Sequence, residues 1–254
     1  MLHSKRASPY ELALRKFPDV VHMLTLLPFY ALCILVMGAS AAPGIALFMA
    51  ALERTADLGA VTRPLGLGFA LAGAYLAYGL SLVAVAPFAN FCLRCNLKPW
   101  RGSYHSAETV KWYVHNGLTY VARFTFLDFI TPTPLNVLFY RLMGMKVGRD
   151  TQINSSSISD PSMITIGDRV TVGGSATIIG HYGIGGLLIL TRTEIADDVT
   201  IGLRAVIMGG VQIGAGAKIL PNSVVMPKTK VGAGETWGGV PAVRLENPAR
   251  AVTG

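Results

Sequence analysis

Ile195-Ala-Asp-Asp-Val-Thr-Ile201-Gly-Leu-Arg-Ala-Val-Ile207-Met-Gly-Gly-Val-Gln-Ile213-Gly-Ala-Gly-Ala-Lys-Ile219 sets an isoleucine at every sixth position. This period is neither the two of a half-buried strand nor the 3.6 of a helix. It reads as a short strand followed by a corner, with the lead aliphatic pointing inward and a small residue filling the tight space near the turn. The series runs on to Val225 and Val231, and back through Ile189, Ile178, Val172 and Ile166 to Ile153 and Val147. The fifth position of each hexad is small or β-branched, as at Val170, Ala176, Thr193, Val199, Ala205, Val211, Ala217, Ser223 and Thr229. Three hexads close one triangular coil, and each coil adds parallel strands to the last, so neighbouring coils satisfy each other's backbone groups. About fifteen hexads, or roughly five coils, are expected over residues 147–244. A β-sandwich would show period-two alternation with turn signals every 8 to 12 residues and fits poorly.

Upstream, the composition changes character. Of 254 residues, 52% are apolar and 14% charged, with a formal charge of +8; mean hydropathy is +0.48 and the pI is near 9.6. An ordinary soluble domain carries about 25% charged residues, so part of the chain sits in lipid or in an unusually apolar core. Two stretches, Val20 to Leu52 and Leu65 to Leu93, exceed the ~20 residues that cross a bilayer and read as transmembrane helices. Kinks are expected at Pro28, Pro43 and Pro87. Lys5, Arg6, Arg15 and Lys16 precede the first stretch, Arg94, Lys98, Arg101 and Lys111 follow the second, and the loop between holds only Arg54 and Arg63. Both ends should therefore face the cytoplasm, in a multi-pass protein of the inner membrane. Ala39-Ser40-Ala41 looks like a signal-peptidase site, but the apolar region before it is longer than a signal peptide's, which favours an uncleaved anchor. Positive charge beside such segments points to a membrane surface rather than to nucleic acid. The three cysteines, Cys33, Cys92 and Cys95, form no disulfide framework, and Cys92-x-x-Cys95 has no second pair to complete a metal site.

Between these regions, Trp100, Tyr104, Trp112, Tyr113, Tyr120 and Tyr140 mix with Lys98, Arg101, Lys111, Arg123 and Arg141, a combination suited to the membrane interface. Ser106 to Phe129 reads as one helix; Thr133 and Pro134 open a second that Gly144 stops. Helices that merely plug one end of the coil stack would carry the same pattern. The expected organisation is a cytoplasmic segment 1–19, a two-helix anchor 20–97, interfacial amphipathic helices 98–146, a repeat domain 147–244 and a tail 245–254.

The stretch from Ile195-Ala-Asp-Asp-Val-Thr-Ile-Gly through Ile213-Gly-Ala-Gly-Ala, ending in Gly238-Gly-Val-Pro-Ala242, resembles the hexapeptide-repeat acyltransferases. That resemblance implies a left-handed parallel β-helix, against the usual right-handed crossover rule. It also implies a homotrimer and a thioester donor lying in the groove between subunits. Pro99-Trp-Arg-Gly102, Lys111-Trp112 and Tyr140-Arg-Leu-Met-Gly-Met-Lys-Val-Gly148 are similar to the membrane-bound terminal region of polylysine-synthetase-like proteins.

Of five histidines only His181 lies within the repeats, where the period breaks: Ile178 to Ile189 spans eleven residues where two hexads take twelve. The family places its catalytic base in a Gly-His at the edge of such a loop, and Gly180-His181 matches it. An imidazole can take the proton of an acceptor hydroxyl or amine as it attacks a thioester, then pass it to the departing thiolate. Backbone N–H groups at coil corners can hold the oxyanion. No acyl-enzyme is required, and no cysteine lies in the repeats. Asp160, Asp168 and Glu194 are candidates to orient His181, because one coil is about eighteen residues and puts neighbouring corners near 163 and 199. By the resemblance, Gly202 and Leu203 match the corner beside the thioester, while Lys228 and Arg244 would meet phosphates of coenzyme A or of a carrier-protein pantetheine. The family often has Lys or Arg directly after Pro-Ala; here Val243 follows, and Arg244 is displaced by one. The γ-class carbonic anhydrases share the fold but bind zinc through three histidines, and His3, His22, His105 and His115 all precede the repeats.

Acyl transfer from acyl-CoA, or from an acyl-phosphopantetheine carrier, to a lipid-linked or surface-polysaccharide acceptor is thus expected, with no permanently bound cofactor or metal. Amide-bond formation from an aminoacyl thioester on a carrier protein is one alternative. A non-catalytic trimeric membrane scaffold is the other.

Overall fold

The computed structural model describes residues 12–13, 16–104 and 106–246. Most of the segment 1–19 and of the tail 245–254 lies outside the described residues, as do His3 and His105. Two long helices come first, α1 (Pro18–Arg54) and α2 (Thr62–Cys92), and both continue through their internal prolines. Within them, Leu26–Arg54 and Thr62–Cys92 are long and apolar enough to cross a membrane by length and composition. Side chains such as Leu27, Ile34, Leu35, Leu65 and Phe69 project from them exposed. The buried residues of α2 concentrate toward its C-terminal end, at Gly79, Leu82, Val83, Ala86, Pro87 and Asn90.

After a strand β1 (Trp100–Ser103), the Ser106 hydroxyl accepts from the Thr109 N–H at 3.3 Å and caps α3 (Ala107–Ala122). This helix runs on through one π-helical turn, Arg123–Leu127, into Asp128–Ile130. Thr133 caps α4 (Pro134–Leu142) by accepting from Leu135 N–H at 3.3 Å. Residues 98–146 are therefore not helical throughout, because β1 lies among them.

The hexads then wind into a parallel β-helix. Its first face holds β2 (Lys146–Val147), β4 (Ile164–Ile166), β9 (Thr193–Ile195), β12 (Gln212–Ile213) and β15 (Lys230–Val231). The second holds β3 (Gln152–Ile153), β5 (Thr171–Val172), β10 (Thr200–Ile201), β13 (Lys218–Ile219) and β16 (Thr236–Gly238). The third holds β6 (Thr177–Ile178), β11 (Val206–Ile207) and β14 (Val224–Val225), with Ile158 bridged to Ile178. Lead aliphatics stack in register, Val172 on Ile201 on Ile219, and Ile178 on Ile207 on Val225. All of these are essentially solvent-free, as are the small residues beside the corners, Ala176, Ala205, Ala217 and Ser223. Each such aliphatic contributes roughly 1.5–3 kcal/mol. That offsets corners where Asp198, Arg204, Asn222 and Lys228 sit at φ of 58, 54, 58 and 63°, a conformation that costs an L-residue about 1–2 kcal/mol.

One interruption shapes everything that follows. Ile189 is not a hexad residue: it belongs to β8 (Leu187–Leu190), which pairs antiparallel with β7 (His181–Ile184) across a Gly185-Gly186 turn at positive φ. Both glycines take the left-handed values that a two-residue hairpin turn demands. The coil resumes only at Ile195, eleven residues later than the period places it. Periodicity alone could not reveal this, because an apolar hairpin strand happens to fall in phase. Thr191 N–H donates to Gly180 O at 2.8 Å, so the excursion leaves and returns at one corner. Strand β1 completes a three-stranded sheet, with Trp100 opposite Leu190.

The open first coil is covered by the helices. Leu118, Phe126, Leu127, Phe139, Tyr140 and Met143 share one core with the aliphatic stack and with Leu82, Val83 and Ala86 of α2.

Candidate active site

The three edges of the prism carry different residues. The first edge, between the first and second faces, carries Asp168; the second carries Gly202 and Leu203; the third carries Asp160, His181 and Lys228.

On the third edge, Asp160 occupies the corner of the first coil at φ 59°, held by Pro161 and a single 3-10 turn. Gly180 sits one coil above it. A Cβ there would lie 2.6 Å from Met163 Cβ and 3.0 Å from Asp160 Cβ, so the approach requires glycine. That approach lets Gly180 N–H donate to Asp160 Oδ2 at 2.9 Å. His181 Nδ1 meets the same oxygen at 2.5 Å.

The other carboxylate oxygen is held by a helix. Trp112, His115, Asn116 and Thr119 lie three or four residues apart on one face of α3. Trp112 Nε1–H donates to Asp160 Oδ1 at 2.8 Å and Asn116 Nδ2–H to the same atom at 2.7 Å. Asp160 returns its own N–H to Asn116 Oδ1 at 2.9 Å. The Trp112 ring stands edge-on to the imidazole, centroids 5.1 Å apart and planes at 77°. It is set there by a small second core of Leu97, Met163, Leu188 and Leu190 beneath the hairpin.

Burial by itself would push the Asp160 carboxyl up, but its bond to His181, the imidazole's charge, Asn116 and the Gly180 N–H hold it below the usual carboxylate range. A fully buried carboxylate with four donors stays ionised. Its partner is different: the Asp160 side chain has no exposure, while that of His181 retains 21%. With Nδ1–H directed at the carboxylate, the lone pair of Nε2 is left for a substrate. No hydrogen bond among the described residues engages Nε2.

His115, next to this group, is a structural residue. Burial pushes it down to about 4, against the pull of Asp160, so it is neutral. It ties Asn90 Oδ1, 2.8 Å from Nδ1, to Ser162 Oγ, 3.3 Å from Nε2.

Of the three acidic candidates, the structure thus brings only Asp160 to His181. Asp168 accepts from Arg149 N–H at 2.7 Å on the first edge, and Glu194 lies exposed on the first face, 3.4 Å from Gln212 Nε2. Both are alternatives to Asp160 by the eighteen-residue spacing, but they fall on other sides of the prism. Lys228 stands two coils above His181, its N–H bonded to Gly209 O and its Nζ 5.7 Å from the Tyr182 ring centroid. Gly202 and Leu203 do not adjoin His181 within one chain. Arg244 pairs with Glu235 at 3.2 Å at the far end of the stack. The sequence reading missed Trp112 and Asn116. Their i, i+4 spacing was visible, but nothing marked Asp160 as their target, 44 to 48 positions away.

Residues 192–227 match the family model "Bacterial transferase hexapeptide (six repeats)", whose fold is the left-handed β-helix. The chain is 24% identical over 150 residues to the delta-poly-L-ornithine synthetase of Acinetobacter baumannii, covering 56% of this chain and 11% of that one. Gamma carbonic anhydrase 2, mitochondrial, of Arabidopsis thaliana is 36% identical over 77 residues, which cover 30% of this chain and 23% of the other. Among the described residues no three His, Cys, Asp or Glu side chains group as a metal site. The putative acetyltransferase YvoF of Bacillus subtilis is 29% identical over 138 residues, covering 48% of this chain and 77% of that one. A hexapeptide-repeat acetyltransferase of Vibrio cholerae, solved with acetyl coenzyme A, is 26% identical at a TM-score of 0.47, covering 61% and 97% of the two chains. The chain thus spans only a small part of the first relatives it matches. The matched repeat is that of a family of bacterial transferases, and the Bacillus subtilis relative is a putative acetyltransferase.

Proposed function

We propose, for a chain whose repeats match the bacterial hexapeptide transferases, that it transfers an acyl group from a coenzyme A thioester to a hydroxyl of a membrane-linked acceptor, with His181 as general base. The observation that carries this is the Asp160–His181 pair: a buried, four-donor carboxylate fixing a part-exposed imidazole whose Nε2 makes no hydrogen bond among the described residues.

The step balances simply. Nε2 takes the acceptor O–H proton as the oxygen attacks the thioester carbonyl, and the resulting imidazolium is stabilised by Asp160. Collapse of the tetrahedral intermediate breaks the C–S bond, and the thiolate leaves with the proton held on Nε2. The products are an ester and a free thiol. Backbone N–H groups at the corners above His181 can stabilise the oxyanion. Cys33, Cys92 and Cys95 lie outside the coils and form no acyl intermediate.

In a homotrimer, Gly202 and Leu203 of one subunit would flank the donor bound at a neighbour's third edge, with Lys228 near its phosphates. The exposed apolar sides of α1 and α2 suit an inner-membrane anchor that keeps the prism on the cytoplasmic side. Across the bilayer lies the short loop between these helices, and the buried C-terminal end of α2 stands at the prism. A second reading, amide formation from a carrier-bound aminoacyl thioester, is favoured by the match to a polyornithine synthetase over 56% of this chain.

His181→Ala tests the proposal in membranes supplied with labelled acetyl-CoA. Transfer should fall at least about 100-fold; unchanged turnover removes the base. Offering a carrier-bound aminoacyl thioester in parallel separates the two donors.

A further inference from the structure

A cavity of about 320 Å3 opens on the second edge, between the first two coils and the π-helical turn that follows α3. It lies away from His181 and is built almost entirely from polar groups, including Arg123, Asp128, Asn154, Ser156, Ser157 and Ser175. The run Asn154-Ser-Ser-Ser157 replaces the expected small and aliphatic pattern of a corner, and nothing in the general-base chemistry uses it.

Some of this polarity is internally spent. Arg123 Nη2–H donates to Ser157 Oγ at 2.7 Å, and Ser156 donates to Asp128 Oδ1. Some is not. Arg123 Nε is buried with no hydrogen-bond partner, an arrangement that costs free energy unless a ligand or water completes it. The side chains of Asn154 and Ser175 are exposed at the mouth and make no bond among the described residues. The cavity therefore offers a guanidinium, a carboxylate, the Asn154 amide and the Ser175 hydroxyl together.

We propose that this cavity binds a saccharide, the glycan headgroup of the membrane-linked acceptor. Vicinal hydroxyls both donate and accept, matching a paired donor and carboxylate. A phosphate would meet the Asp128 carboxylate, and an apolar ligand would strand every lining group. The surroundings agree. Phe124 on that turn and Phe129 just after it are 71% and 63% exposed, and Tyr75 and Tyr78 of α2 bond Thr125 at 3.0 and 3.1 Å, which fastens the cavity wall to the long apolar helices. A lipid tail would lie along those helices while the sugar enters the cavity. The cavity shares its edge with Leu203, whose Cδ1 is 3.1 Å from where a Gly174 Cβ would stand. In the trimer, acceptor and donor corner would therefore face one neighbouring imidazole. The proposal rests on acyl transfer to a membrane-linked acceptor.

The test uses the full chain in nanodiscs, in the His181→Ala form so that turnover cannot consume ligand, applied to an array of neutral and acidic oligosaccharides. A subset should bind, Asn154→Ala with Ser175→Ala should weaken that binding by about tenfold or more, and Arg123→Gln should abolish it. Asn154 and Ser175 are exposed, so their replacement leaves folding intact even if Arg123→Gln does not. No saccharide bound, or binding indifferent to all three changes, overturns the proposal. Displacement by millimolar inorganic phosphate would make this an anion site and overturn it too. Saccharide binding in this form, together with no acyl transfer by the parent chain with His181 intact, would sink the enzymatic reading and leave the binding site standing.

Discussion

Replacing Asp160 by Asn changes one atom and one charge at the point where four donors converge. If the new amide keeps its oxygen toward Trp112 and Asn116, its NH2 confronts the Gly180 N–H and His181. Gly180 then loses its acceptor in a buried place, at about 1–3 kcal/mol. His181 can respond only by turning Nδ1 into an acceptor, which moves the ring proton to Nε2, where the reaction needs a lone pair. The opposite flip instead strands Trp112 and Asn116. Either way the imidazole is in the wrong tautomer or misaligned, and the imidazolium loses its counter-charge. The corresponding change in a Ser-His-Asp triad costs about 10⁴ in turnover. Here we expect a loss of about 10² to 10⁴, roughly 3–5.5 kcal/mol of transition-state stabilisation. Label transfer from acetyl-CoA in nanodiscs, at limiting and saturating donor, reads this directly, with the fall in kcat rather than in donor KM. A parallel melt shows that the fold survives. Activity within about fivefold of the parent in a well-folded protein would refute the dyad, as would Asp160→Asn and His181→Ala losses that multiply in the double variant instead of collapsing onto one value.

Trp112→Phe keeps the ring edge but removes one of two donors on Oδ1; because Asn116 still holds that oxygen, a three- to tenfold loss of kcat with unchanged acetyl-CoA KM is expected, about 0.6–1.4 kcal/mol of transition-state stabilisation, and a pure stability effect would leave kcat of the folded fraction untouched. Gly180→Ala pushes a methyl against Met163 and Asp160 and should lower stability by about 1–3 kcal/mol in a denaturant melt; a neutral result contradicts the packing at that corner. His115 is neutral in the folded chain, while an unfolded histidine protonates below about 6.5. The unfolded state therefore binds the extra proton as pH falls from about 6.5 towards the folded value of about 4, and stability drops across that window by up to about 3 kcal/mol. His115→Gln should flatten that slope in melts at graded pH. Asp160, whose folded value is depressed, contributes above about 3.9 and is lost only as pH falls below it, so it does not obscure the His115 window.

From Ile195 onward the hexad pattern was legible, because a six-residue spacing of Ile and Val has one economical packing, and each lead position there falls where the pattern puts it. The helix starts at Ser106 and Thr133 were legible for the same local reason, a side-chain oxygen before a helical run. What escaped was non-local. Ile189 fell in phase by coincidence and hid a hairpin. The eighteen-residue spacing nominated Asp168 and Glu194 equally with Asp160, since it fixes a height along the stack but not which edge a residue occupies. Trp112 and Asn116 could not be assigned, because an indole and an amide on an aromatic helix look like ordinary packing until a buried carboxylate is seen opposite them.

The shared core between α2 and the first coil has a practical consequence. Leu82, Val83 and Ala86 belong to the same apolar body as Ile153 and Ile166, so the long helices are no flexible leash. In the proposed membrane setting they would work like a pedestal, keeping the imidazole at a constant height above the lipid plane, and a substrate would have to be delivered to that height. A fragment beginning at Lys146 would bare the greasy end of the stack and clump, whereas the intact chain in mild detergent should keep its shape.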